Sequence, residues 1–87
     1  MEDLKGRLAV SVMGRDKGKA YVVVNIIDEF FVQVCDGTKK TLSCPKRKHK
    51  NHIAVNKALE KLTMDWTDDK QGDDRISNYL KCHEKEV

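Results

Sequence analysis

The chain has 87 residues, 39% hydrophobic and 36% charged, with a net charge of +3. That is one small domain with a modest core, and no apolar run approaches the roughly 18 residues that a membrane-spanning helix needs. The start, Met1-Glu2-Asp3-Leu4, is acidic and carries no signal-peptide core, so the expectation is a soluble cytoplasmic protein.

The charge is unevenly divided. Residues 1–57 hold 12 Lys/Arg against 6 Asp/Glu, whereas residues 58–87 hold 5 against 8. The division suggests a basic domain over 1–57 and an acidic C-terminal extension over 58–87. Cys35, Cys44 and Cys82 are odd in number, which suits reduced thiols. Cys44, His49, His52, Cys82 and His83 contain no C-x-x-C pair, and no metal or other cofactor is expected.

In chain order, Leu8, Val10 and Val12 alternate with smaller neighbours as a half-buried strand does. The loop Gly14-Arg15-Asp16-Lys17-Gly18-Lys19 follows, with glycines at turn positions. Tyr21 to Ile27 is apolar on both faces and β-branched, like a bent strand shared between the halves of a barrel. Asp28-Glu29 breaks the chain before a third strand over Phe30–Cys35, with Phe30, Val32 and Val34 on one face. Asp36-Gly37 is a turn signal, and a short fourth strand is expected near Lys40–Ser43, ended by Pro45. The basic segment Pro45-Lys46-Arg47-Lys48-His49-Lys50 reads as a solvated loop, and His52-Ile53-Ala54-Val55 as a fifth strand. Five short strands with tight turns predict a mainly β fold, a small SH3-like barrel whose core includes Val10, Val23, Phe30, Val32 and Val34.

The extension gives mixed signals. Ala58, Leu59 and Leu62 could share a helical face, while Leu62, Met64 and Trp66 alternate like a strand. Asp68 to Asp74 reads as a linker containing Gly72. From Asp73 or Asp74 to Glu84, Ile76, Tyr79, Leu80 and His83 recur at helical spacing, which predicts a short amphipathic helix for packing on the barrel or docking on a partner, with packing favoured.

The segments Gly6-Arg7-Leu8 through Ser11, Gly14 to Lys19 with Tyr21-Val22-Val23-Val24, Ile27-Asp28, and Val32-Gln33-Val34-Cys35-Asp36-Gly37 together resemble a KOW domain. The likeness is closest to the large-subunit ribosomal KOW proteins of archaea and eukaryotes and to their short bacterial relatives described as KOW-domain RNA-binding proteins. Pro45-Lys46-Arg47-Lys48 with Lys50-Asn51-His52-Ile53 is similar to the basic segment that follows the barrel strands there. The resemblance spans roughly residues 5–56. It implies an SH3-like barrel without catalysis that binds structured RNA such as rRNA, in translation, on the ribosome or during its assembly. Ribosomal proteins would be further contacts, and the free protein would be a monomer.

The candidate RNA-binding residues are Arg15, Lys17 and Lys19 on the first basic loop and Lys46, Arg47, Lys48, His49, Lys50 and His52 on the second, with Gly14, Gly18 and Gly37 as structural turns. Arginine grips a phosphate with paired hydrogen bonds and lysine supplies a mobile charge, so clustered cations gain most when a polyanion neutralises them. The competing reading of Lys46–Lys50 is a nuclear-import signal. Phe30, Phe31, Tyr21 and Trp66 are assigned to the core, which predicts readout of phosphate geometry with little base stacking. No enzyme is expected: Asp68, Asp69, Asp73 and Asp74 form no paired-carboxylate cleft, and Ser43 and Cys44 have no evident base. The alternative function is a protein-docking module for a transcription or translation factor.

Overall fold

The structure is a computed structural model and describes residues 4–64, 66–67 and 69–83. β-Branched and aromatic runs form three strands of an antiparallel meander: β1 (Leu8–Ser11), β2 (Ala20–Ile26) and β3 (Phe31–Cys35). A fourth strand, β4 (Lys46–His49), pairs with β3, and a 3-10 turn over Lys50–His52 leads to β5 (Ile53–Val55), which pairs with β1. The sheet order is β4-β3-β2-β1-β5, and an α-helix, α1 (Asp69–Cys82), packs on it. No helix among the described residues is long and apolar enough to cross a membrane.

β2 explains why the chain needs both its halves. Tyr21 and Val23 point to one face, where they meet Ala9, Val32, Val34 and Ile53. Val22 and Val24 point to the other, where they meet Cys35, Ile76 and the flanking Leu42, Leu62, Met64, Trp66, Tyr79 and Leu80. A strand that is apolar on both faces must be covered on both, and here the C-terminal extension supplies the second cover. Leu62 and Met64 contribute to it from irregular backbone, so neither the helical nor the strand alternative applies there.

Several expectations are corrected. On β1 the core face belongs to Ala9, with Val10 half-buried on the opposite side, because Ala9 stands directly across from Tyr21 and a large ring needs a small partner. Phe30 is not in the core: its side chain is 55% exposed at the β2–β3 turn, where the Asp28 carboxylate accepts the Phe30 and Phe31 amides. No strand forms over Lys40–Ser43. The Asp36 carboxylate accepts the Thr38 and Lys40 amides, and the Leu42 amide donates to Asp73 of α1, so that stretch docks on the helix. Pro45 precedes the fourth strand instead of ending it, and the basic segment is that strand and not a loop.

The helix begins at Asp69, within the expected linker, and its expected end at Glu84 lies outside the described residues. Gly72 is buried in the helix because Leu42 packs where its side chain would be. Gly37, with φ +81°, brings the β3–β4 turn against the backbone of Asp73 and Ser77, an approach that a Cβ would block. Ile76 is fully buried. Its replacement by Ala should therefore lower unfolding free energy by about 2–4 kcal/mol in denaturant titration. A loss below about 0.5 kcal/mol would mean that α1 is dispensable to the sheet.

Candidate nucleic-acid interface

The first basic loop is organised by its acid. Gly14 and Gly18 take φ of 94° and 93° and turn the loop back, so that Asp16 faces the sheet. Oδ1 of Asp16 accepts from the Ser11 hydroxyl at 2.8 Å and Lys48 Nζ at 2.8 Å. Oδ2 accepts from the Tyr21 hydroxyl at 2.6 Å and Lys46 Nζ at 2.9 Å. Lys48 Nζ also donates to the Met13 carbonyl at 3.3 Å. β4 alternates, and the register Val32↔Lys48 and Val34↔Lys46 places both lysines on the core face of the sheet. Lys48 is only 8% exposed.

Burial pushes the Asp16 carboxyl up, but the hydrogen bonds from Lys48, Tyr21, Lys46 and Ser11 together outweigh it and hold the group well below the usual carboxylate range. Burial and the same carboxylate push the Tyr21 phenol well above its usual value. Asp36 repeats the pattern: burial raises it, whereas Lys19 at 2.7 Å and the Lys40 and Thr38 amides bring it down to about 2. The Cys35 thiol is pushed up to about 12, mainly by burial and then by Asp73 and Asp36, and stays protonated at neutral pH.

The structure thus sorts the expected cations into two groups. Lys19, Lys46 and Lys48 are held in ion pairs within the fold. Arg15, Lys17, Arg47 and Lys50 make no ion pair among the described residues. Arg15 and Lys17 flank Asp16, so the clamp that fixes Asp16 ties them to the β4 edge. Arg47 lies on the outer face of β4, its guanidinium 4.4 Å from the Phe31 ring centre. His49 shares that face, with ring-centre distances of 5.1 Å to Phe31, 6.2 Å to Phe30 and 5.3 Å to His52. Its Nδ1 accepts the Asn51 amide, so the neutral ring carries its proton on Nε2. α1 covers the Val22, Val24 and Cys35 part of this sheet face; in the ring cluster beyond it Phe30 is exposed and Phe31, His49 and His52 are half-buried.

Sequence reasoning missed Asp16, Ser11 and the Tyr21 hydroxyl, and it missed the exposed Phe30 and the ring cluster behind it. One signal was available: in a strand, Lys46 and Lys48 share a face, and two such lysines beside a core call for an acid. Among known proteins, the chain matches no family model and no curated protein.

Both clamp acids sit below their ordinary value of 3.8, so their contribution is complete above about pH 4 and is lost as pH falls toward 2, where Asp36 titrates, and below, where Asp16 does. Thermal unfolding should show a steep fall in Tm over that window. Asp16→Asn should cost about 3 kcal/mol at neutral pH, because it leaves the Lys48 ammonium buried without its counter-charge. It should also flatten the acid limb. Adding Lys48→Met should recover part of the loss, and an additive double variant would show that the two side chains are not coupled.

Proposed function

We propose that this chain is a KOW-type RNA-binding protein, a non-catalytic cytoplasmic monomer that contacts structured RNA of the ribosome or of its assembly. The observation that carries the reading is the set Arg15, Lys17, Arg47 and Lys50, which stay outside the internal ion pairs and lie along one edge of the sheet, on β4, the turn after it and the loop tied to it. Cations that the fold does not neutralise are the ones whose pairing with phosphate releases counterions at no internal cost.

The SH3-like barrel belongs to the same proposal. β4 and β5 stand at opposite ends of the strand order, which in a flat sheet would separate them by about 19 Å. Only the turn Lys50–His52 joins them, and at the 3-10 rise it reaches about 8 Å. The Lys50 amide donates to the Phe30 carbonyl and the Val12 amide to the His52 carbonyl, which ties the turn to both halves. A sheet under those constraints curls, and curling supports a barrel.

A second reading, docking to a protein factor, is favoured by the exposed Val12, Met13, Ile27 and Phe30. The readings part on salt. RNA affinity should fall steeply as salt rises, while an apolar interface persists. In titrations with a ribosomal-type hairpin RNA, Arg15→Ala with Lys17→Ala, and separately Arg47→Ala with Lys50→Ala, should each flatten the log-affinity against log-salt slope by about 1.4–1.8. Both pairs spare the Asp16 clamp, so melting temperatures should stay near wild type. Undiminished binding in both would remove these four cations as the contacts and with them the observation that carries the reading, and absence of RNA binding by the wild type would leave protein docking.

A further inference from the structure

We infer that the open face built from Phe30, Phe31, Arg47, His49 and His52 is a stacking platform for an unpaired RNA base, whose flanking phosphates are taken by Arg47 and Lys50; this rests on the RNA-binding reading and names the part of the RNA that the site takes. The rings form a continuous cluster: Phe31 meets His49 edge-on, while Phe30 and His52 tilt toward His49 by 32° and 37°. Three kinds of fixed contact preorganise it. Asp28 accepts the Phe30 and Phe31 amides at 2.8 and 2.9 Å. The Phe30 carbonyl accepts the Lys50 amide at 2.8 Å. His49 Nδ1 accepts the Asn51 amide at 3.0 Å. Phe30 is therefore held in water by a turn that is itself fixed, although a fold this small gains by burying every ring it can.

Rings with an arginine and a lysine beside them match the parts of an unpaired nucleotide. The base has a π-face for Phe30 and His49, and the phosphate accepts from Arg47 and Lys50. The Nε2–H of His49 adds a donor for a base edge or a sugar hydroxyl. Asp28 and Glu29 are the acids of the same turn. The Asp28 carboxyl lies below its ordinary value, held there by the Phe30 and Phe31 amides with smaller help from Lys50 and Arg47. These acids direct the phosphates away from the turn and toward β4. The paired lysines on the core face of β4 leave this outer face to do the reading.

The test uses two hairpin RNAs with the same stem, one fully paired and one carrying a single bulged 2-aminopurine, titrated at low salt with the full chain. The protein should bind the bulged RNA about tenfold more tightly and change the 2-aminopurine emission. Phe30→Ala should lose that preference and the emission change while keeping its affinity for the paired stem. Phe30→Trp should restore both, and unchanged thermal unfolding should accompany each variant. Equal binding of both RNAs by the wild type, or an unaffected Phe30→Ala, would overturn the platform and leave phosphate binding standing. Failure to bind either RNA would overturn the RNA reading together with the platform. Concentration-dependent self-association abolished by Phe30→Ala would in that case assign the face to a second copy of the chain.

Discussion

Lys48 stands across from Val32 on the core face of the sheet, and an ammonium there must be matched or it unfolds the strand that carries it. Asp16 supplies the match, and it can do so only because the loop between β1 and β2 folds back far enough to present a carboxylate to β4. The four donors around Asp16 come from β1, β2 and β4, so one side chain fixes three strands relative to one another. A buried pair of this kind need not exceed a well-packed apolar pair in stability. Its contribution is register. If β4 slipped by one residue, Arg47 and His49 would take the core face, and the two-lysine match to Asp16 would be lost.

The second constraint is the two-faced β2. Each half of the chain leaves an apolar face that the other must close, and the acidic extension serves the sheet before it serves anything else. Its acids follow that use: Asp73 accepts the Leu42 amide, and the Gly37 turn lies against the first turns of α1.

The sequence pattern made β1, β2, β3 and β5 legible because β-branched runs between turn residues leave few alternatives. β4 was hidden, since Lys-Arg-Lys-His carries no hydrophobic alternation; its alternation is between lysines that are paired inside and a cation and a ring left outside. On β1 the alternation picked out Leu8, which is buried, but it ranked Val10 above Ala9, whereas the Tyr21 ring across the sheet favours the small residue. Phe30 was placed inside on hydrophobicity alone, and only the Asp28 turn reveals that its backbone is held in the wrong position to be buried. At the candidate site the positions of the cations were legible but their partners were not, because Asp16 lies 30 and 32 residues from Lys46 and Lys48.

Pairing changes what the basic sequence can do. All its charges contribute to the long-range field that would draw a polyanion toward the sheet. At contact they separate. A phosphate that approaches Lys48 must compete with a carboxylate already within 2.8 Å and with a hydroxyl and a carbonyl around the same amine. Arg47 makes no ion pair of this kind among the described residues, and its guanidinium lies 4.4 Å from the half-buried Phe31 ring, in the cluster that ends at the exposed Phe30. Fewer free cations than the sequence advertises, set next to a ring cluster with Phe30 exposed, form a surface poorly suited to tracking a long duplex by charge. Under the proposed RNA-binding reading, such a surface would suit a short stretch where the backbone bends and a base leaves the stack, because stacking would there add binding energy that the internally paired lysines withhold.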